Sequence, residues 1–567
     1  MRLSWAVVLP VVLGAANGTP SSSYDFGFEH EAYGPHPLTV FKSAPGLEVP
    51  KINVLQTNEA CESSLYTLLT PRGGATRQPQ ATILDTNGDL IWSSGWRKQQ
   101  LYNLMVQEYK GENYLTFWAG DDTVGGHGAG TIMMLDKSYL LFREIKAANG
   151  LMADLHDFRI TPAGTALITV YEIVHRDLAE VGKQHTGPVW DCLIQEIDLE
   201  TGLAVFQWRA LDHWNLIDSY RDIGGDGEHN HAYDFFHMNS VDKDARGNYL
   251  TSGRYTHSLT YINGTSGEVI WILGGKRNMF RDLSNGTATN FAYQHDARWS
   301  GNDTITVFDN GVDDAHRDIA DTRGLKLHVD EARMTVSVVA EYFNPHKIHG
   351  VSQGSFQELP NGNVLLGYGN SAAFTEYTGD GKVLCDTHFG PESRFGTAEV
   401  QSYRVYKYEW HGWPTTTPSS AIRRDSERDW NLYVSWNGAT EVSKWVLQGS
   451  GSPNATEEEW KELSKAKRTG FETAFKLRKS YPHFLRAVAV HSGGHMLGFS
   501  APLDVRTVVS EISYSGGFIL MDDEVWTVQV VMGIGGILGL VVLFRIGYVA
   551  WNNRPTVYWR LPTGPSK

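Results

Sequence analysis

Short apolar runs rich in Ile, Val, Leu, Tyr and Trp recur along most of the chain, each bounded by Gly, Asn or Asp. The stretch Asp234–Gly275, DFFHMNSVDKDARGNYLTSGRYTHSLTYINGTSGEVIWILGG, holds a complete set of them. Its first run ends on His237, the next ends at Arg254, SLTYIN breaks at Gly264, and EVIWIL follows a Thr-Ser-Gly turn. Runs of this length and composition, separated by turn residues, predict successive strands of an antiparallel meander. Four such strands form one blade of a β-propeller.

The pattern repeats. A turn of the type Asp/Asn-x-x-Gly followed by an apolar pair occurs in ILDTNGDLIWSSG from Ile83, QEIDLETGLAVFQW from Gln195, TYINGTSGEVIWIL from Thr260 and FTEYTGDGKVLCDTHFG from Phe374. Weaker copies start at Met133 and His328. Inner strand pairs lie between them, in DLHDFRITPAGTALITVYE from Asp154, QHDARWSGNDTITVFDNG from Gln294 and GSFQELPNGNVLLGYGN from Gly354. NLYVSWNGATEVSKWVL from Asn431 and FLRAVAVHSGGHMLGFS from Phe484 continue the series. Turns alone would also suit a β-sandwich. The alternation of two unit types every 55 to 80 residues or so favours a propeller, with about six units and five or seven still open. The expected fold is therefore all-β, a six-bladed β-propeller ectodomain with a single C-terminal transmembrane helix.

The rest of the chain reads differently. Residues 24–50 lack a strong period and suit a segment that wraps the propeller or closes its first blade with its last. The stretch 412–428 is rich in Pro, Ser and Thr, which predicts a loop. Thr456 and Glu459 have the spacing of a capping box, which predicts a short helix over TEEEWKELSKAK, and GFETAFKL after it alternates like a strand.

The two ends carry targeting signals. Arg2, the run WAVVLPVVLGAA and small residues at Gly14 and Ala16 have the layout of a signal peptide. Val525–Phe544 is an uncharged apolar run of roughly twenty residues, enough to cross about 30 Å of hydrocarbon. Asp522, Asp523 and Glu524 precede it, and Arg545, Arg554, Arg560 and Lys567 follow, so the positive-inside bias predicts a single-pass type I membrane protein. The propeller would then face the secretory-pathway lumen or the cell exterior. The expected division is a signal peptide at 1–18, an extended segment at 19–50, the propeller at 51–520, the transmembrane helix at 525–548 and a cytosolic tail at 549–567.

Composition narrows the partners. A formal charge of −15 over 567 residues argues against nucleic acid, because no basic stripe exists to displace counterions. Cys61, Cys192 and Cys385 are widely spaced and form no CxxC, so at most one disulfide forms and one thiol is left over. In a secreted chain the Asn-x-Ser/Thr triplets at Asn263, Asn285, Asn302 and Asn454 become glycosylation acceptors.

Candidate chemistry follows from the repeats. Equivalent positions of inner strands converge from different blades, and three of these positions carry histidine: His156 in HDF, His237 in HMNS and His295 in HDA. In the fourth, Ser352, Gln353 and Ser355 take their place. Three imidazoles with Arg254 nearby would make a hydrogen-bonding, cationic pocket for a tetrahedral anion. Asp157 and Asp296 follow their histidines directly, so strand alternation turns them to the opposite face, to brace adjacent blades. His229 and His231 with His237 would offer three ligands to zinc. Phe235, Phe236, Tyr255 and Phe291 would wall a slot for an aromatic ring.

The blocks HDFRITPAGTALIT, HMNSVDKDARGNYLTSGR and QHDARWSGNDTITVFDNG closely resemble the arylsulfotransferase (ASST) family, in its fungal-type, membrane-anchored branch, over roughly residues 45–500. The resemblance implies a six-bladed propeller that moves a sulfuryl group from a phenolic sulfate ester to a phenolic acceptor without a nucleotide donor, a cofactor or a metal. It implies that His295 is the transiently sulfated nucleophile, and that His156, His237 and Arg254 bind and polarise the sulfate. The partners it implies are a small aromatic sulfate donor, a phenolic acceptor and the membrane. The alternative is a non-catalytic propeller that binds a small ligand or a protein partner at its channel mouth.

Overall fold

The turns show why the chain folds into meanders. In five of them, the first residue accepts two backbone N–H groups on one side-chain oxygen. Asp85 Oδ1 takes those of Asn87 and Asp89, both at 2.9 Å, and Asp244 Oδ1 takes those of Arg246 and Asn248, both at 2.9 Å. Asp136, Asp198 and Asn263 act in the same way. The short polar side chain thus replaces a missing ladder partner and reverses the chain. Gly88 and Gly247 follow in the left-handed region at φ 82° and 85°. At Asp136 the corresponding residue is Tyr139, at φ 63°, which is why this copy is faint in the sequence.

The structure is a computed structural model and describes residues 24–95, 99–124, 126–312, 321–426, 429–477 and 481–506. Among these the chain is all-β and propeller-like, with helix limited to Phe26–Glu29, residues 505–506 and single 3₁₀ turns. Sequence neighbours pair antiparallel in four-stranded meanders. The first joins Tyr66–Leu69, Thr82–Leu84 and Leu90–Ser93 to the late strand Val405–Tyr408. The second runs from Gln100 to Ile145, the third from Ala153 to Arg209 and the fourth from Met238 to Gly274. The fifth runs from His295 to Tyr342. The sixth, from Ser355 to His388, gains Asn53–Gln56 as an outer strand. Each inner strand lies against the inner strands of its two neighbours, and Val405–Tyr408 lies against Gln100–Tyr109, which closes the circuit. Closure leaves no inner edge open to a foreign strand.

Apolar side chains fill the spaces between meanders, as with Trp208, Phe235, Phe236, Met238 and Tyr249 between the third and fourth. Inside the ring the filling is ionic. Asp157 accepts from Arg298 at 2.8 and 2.9 Å and from Arg404 at 2.8 Å, while Asp296 accepts from Arg298 at 2.9 Å and from Tyr406 Oη at 3.0 Å. Asp157 and Asp296 therefore tie together the third and fifth meanders and the late strand of the first, turned away from the histidines beside them.

Three expectations are corrected here. The runs from Asn431 and Phe484 do not extend the meander series. Ser419–Arg424, Trp430–Ser435 and Thr473–Lys476 form one sheet, and Val442–Ser450, Lys461–Lys467, Phe484–His491 and Met496–Phe499 form another, around their own core of Leu432, Trp445, Leu447 and Phe475. The helix expected over 456–467 is one 3₁₀ turn, Glu457–Glu459, followed by an edge strand. The Thr456 N–H does bond Glu459 Oε2 at 2.7 Å, but cross-strand pairing of Lys461–Lys467 with Val442–Ser450 outcompetes continuation of the helix. The type I membrane placement is the third. No helix among the described residues is long and apolar enough to cross a membrane, and a single-pass anchor is not supported. The signal peptide and the apolar run 525–544 lie outside the described residues.

Cys61 and Cys385 form a disulfide with Cα atoms 6.1 Å apart, and Cys192 is a buried thiol. Of the acceptor asparagines, Asn285, Asn302 and Asn454 are exposed and Asn263 is half-buried.

Candidate functional site

Local irregularity aims the site. The ladder shifts register between Ala153 and Phe158, between Met238 and Ser240, between His295 and Arg298, and between Tyr102 and Met105, always at the same end of an inner strand. His237 and Asp296 adopt φ of 55° and 54° there, in the left-handed region. Such bulges re-aim a side chain out of the alternating pattern, and strain of this kind gathers at functional sites.

Four residues singled out in the sequence are brought together: His156, His237, Arg254 and His295 line one cavity of about 300 Å³, together with Arg72, Tyr102, Asp122, Tyr255, Gln353 and Tyr403. The His156 and His237 ring centroids are 4.8 Å apart, and Tyr403 lies 5.6 Å from His156 and 6.1 Å from His295. Arg254 is 8 % exposed, and its guanidinium lies 3.9 Å from the Tyr293 ring centroid and 4.8 Å from that of Tyr255. Its Nε has no hydrogen-bond partner, and no carboxylate among the described residues pairs with it. A buried cation without a counterion is a ready anion site.

Each imidazole is anchored through Nδ1. His156 Nδ1 lies 2.7 Å from Asp154 Oδ2, His237 Nδ1 bonds Asp234 Oδ2, and His295 Nδ1 lies 2.7 Å from Asn310 Oδ1. Burial pushes the His237 imidazole down to about 3, against the opposing pull of Asp234. Burial and then Arg254 hold His295 well below the usual histidine range. Although burial opposes it, His237 and His127 hold Asp234 ionised. His295 is thus a neutral imidazole near neutral pH.

The sequence reading missed His127. It is 1 % exposed, stacks on Tyr171 at 3.9 Å, and brings Nε2 to 3.3 Å from Asp234 Oδ2, between the two Asp–His pairs. Its loop is held by close packing, because Gly128 and Gly130 leave room for Trp118, which any Cβ there would strike at 2.6 to 2.7 Å. Among the described residues, His127 with Asp154 and His156, or with Asp234 and His237, are the groups whose donor atoms could surround a metal ion. The His–Asp contacts at 2.7 Å and below are hydrogen-bond distances, however, and donors sharing one ion at about 2.0–2.2 Å each stand about 3 Å or more apart. The metal set read from the sequence does not assemble: His229 and His231 are exposed on the tight turn closed by the Glu228–His231 bridge, apart from buried His237.

The aromatic slot is also different. Phe235, Phe236 and Phe291 are fully buried in the packing between meanders, and only Tyr255 of the expected four reaches the cavity. Tyr102 and Tyr403 supply the other rings. Tyr102 donates its hydroxyl to Asp122 at 2.9 Å, with the Arg72 guanidinium 4.2 Å from its ring centroid.

The arylsulfotransferase (ASST) family model matches residues 105–390, which include His127, His156, His237, Arg254, His295 and Gln353. The chain belongs to the arylsulfotransferase family. No curated protein matches it. Solved structures similar to this family member include a protein of unknown function from Bacteroides caccae at 14 % identity and TM-score 0.36, covering 61 % of this chain and 100 % of its own. The periplasmic gluconolactonase of Pseudomonas aeruginosa is similar at 12 % identity and TM-score 0.33, with 61 % and 99 % covered. An inactive virginiamycin B lyase from Staphylococcus aureus with quinupristin matches at 10 % identity and TM-score 0.29, with 59 % and 91 % covered. These likenesses are too loose to bear on its activity.

Proposed function

We propose that this protein transfers a sulfuryl group from a phenolic sulfate ester to a phenolic acceptor, without a nucleotide donor, through a sulfo-histidine at His295. The six meanders are read as the blades of one closed propeller with the reaction at its mouth. The single observation that carries the reading is the convergence of His156, His237, His295 and an unpaired, buried Arg254 on one cavity.

In this reading the sulfate enters beside Arg254, whose guanidinium holds two oxygens through parallel N–H donors. The single lone pair of neutral His295 Nε2, which accepts from the Gln353 backbone N–H at 3.2 Å in the open cavity, attacks sulfur once the bound ester has displaced that contact. The S–O bond to the aryl group breaks as the S–N bond forms, and the electron pair leaves with the phenolate. His237 is neutral in the open cavity, but an anionic sulfate ester beside it favours the imidazolium, which then supplies the proton to the departing oxygen. Transfer to the acceptor is the reverse: the acceptor oxygen attacks the sulfur, its proton returns to the imidazole, and the S–N bond breaks. As in phosphoryl transfer, the protein's part is mainly positioning and charge stabilisation. Tyr102, Tyr255 and Tyr403 would face the aromatic ring.

The test is turnover of a chromogenic aryl sulfate with a phenol acceptor. The expected result is ping-pong kinetics that disappear in His295→Ala. No turnover over a panel of donors would return the site to the alternative of a ligand-binding module.

A further inference from the structure

The three cavity histidines differ in what holds their Nδ1 atoms. For His156 and His237 it is a carboxylate, Asp154 or Asp234, a few residues earlier in the chain. For His295 it is an amide, Asn310, at the end of the neighbouring strand. A carboxylate at Nδ1 opposes the burial that keeps an imidazole neutral, as Asp234 does for His237, whereas an amide oxygen supplies no charge of that kind.

The orientation of that amide is over-determined. Asn310 is fully buried and its Nδ2 donates to the carbonyls of Gly350 and Gln353, the latter at 3.0 Å. Both partners are acceptors only, so the amide nitrogen must face them and the oxygen must face His295. His295 Nδ1 therefore carries the proton. The far side of the ring agrees, because the Gln353 backbone N–H points at Nε2 from 3.2 Å and requires a lone pair there. Gln353 is itself held in the left-handed region at φ 66°, with its side chain donating to Gln401 at 2.7 Å.

We propose that Asn310 is the positioning residue that keeps His295 a neutral nucleophile with its lone pair on Nε2, and that the choice of amide over carboxylate assigns the nucleophilic role to His295 among the three cavity histidines. The proposal rests on the sulfotransfer reading above for its catalytic consequence, but not for the tautomer. Besides Asn310 and the Gln353 N–H, the charged and titratable groups that face His295 are Arg254, His156, His237 and Tyr403. Arg254 opposes a positive charge on the ring, and its effect is the same in every Asn310 variant.

Asn310→Asp replaces the amide oxygen by a carboxylate of the same shape and tests the idea directly. Below its raised acid limb the transfer rate is expected to fall at least about 100-fold, as when a catalytic histidine loses its correct proton state. The rate should recover as pH rises, with the acid limb of kcat/KM moving up by about one unit or more. Asn310→Leu should lose rate at all pH values without moving the limb. Thermal unfolding of each variant identifies one that has failed to fold. A readout independent of turnover is the ¹⁵N spectrum of histidine-labelled full-length protein, with the His295 signals assigned by their loss in His295→Ala. The expected signals are a protonated Nδ1 and an unprotonated Nε2 in the wild type, and in Asn310→Asp an Nε2 that takes up its proton at a higher pH than in the wild type. A protonated Nε2 in the wild type would overturn the inference whether or not the protein turns over aryl sulfates. A folded Asn310→Asp with unchanged rate and unchanged acid limb would overturn it as well. Absence of turnover in the wild type with the expected tautomer would count against the sulfotransfer reading alone.

Discussion

Arg254 donates its backbone N–H to the His237 carbonyl at 3.0 Å, so the residue that offers a cation and the residue that offers an imidazole are fixed to one another across the open end of a single strand pair. Their side chains share the cavity because that end of the pair is bulged. Replacing Arg254 by Lys keeps the charge and removes the planar fork. The expected outcome is a loss of about 10- to 100-fold in kcat/KM for the donor, the worth of one or two charge-assisted hydrogen bonds, carried mainly by KM. Steady-state kinetics on the donor check this, and an unchanged KM would remove Arg254 from the sulfate site.

Donor binding should take up protons. Burial keeps His237 neutral in the open cavity, at about 3, and a bound sulfate ester supplies the negative charge that favours its imidazolium. Because the pKa is depressed in the free protein and rises on binding, affinity should fall as pH increases through the bound-state value. Titration calorimetry in buffers of differing ionisation enthalpy, between about pH 6 and pH 8, should show net proton uptake that is absent in His237→Gln. Zero uptake in the wild type would exclude His237 as the proton donor.

The ionic centre should set acid stability. Burial alone would raise Asp157, but Arg298 and Arg404 hold its carboxyl well below the usual range. A group depressed in the folded state contributes fully above its unfolded pKa of about 3.9, and that contribution is lost as pH falls through the folded value. Asp157→Asn leaves buried arginines short of a partner and should cost about 3–5 kcal/mol in urea unfolding near neutral pH, with the gap from wild type closing in acid. A difference below about 1 kcal/mol would mean that Asp296 compensates alone.

The disulfide should act on stability only. Cys61 and Cys385 are 324 residues apart in sequence, and neither lines the histidine cavity. Cys61→Ser should lower stability by about 2–4 kcal/mol with the transfer rate unchanged. A lowered rate at full folding would tie the bond to the site.

Much of this was legible in the sequence because it rests on local chemistry. Asp85, Asp198, Asp244 and Asn263 announce their turns by side chains that bond the next few backbone N–H groups, and the meanders follow from them. His156, His237 and His295 stood out because they recur at one register. His127, Arg72, Tyr102 and Asn310 did not: Arg72 and Tyr102 reach the cavity outside the histidine register, and His127 and Asn310 lie behind its histidines, against Asp234 and His295. Phe235 and Phe236 read as a ligand slot because sequence shows that an aromatic is near a site but not which way a bulged strand turns it. The edge strand Lys461–Lys467 resembled a helix because its Glu and Lys residues favour one, while pairing with the preceding strand Val442–Ser450 decides its form.

The central claim is that His295 becomes covalently sulfated. Rapid mixing of the protein with an aryl sulfate in the absence of acceptor, acid-free quenching and peptide mass spectrometry should find one added sulfo group on the peptide containing His295, formed at the rate of phenol release and discharged when a phenol acceptor is added. Release of phenol with no sulfo adduct on that peptide, or an adduct that persists when the acceptor is turned over, would contradict it.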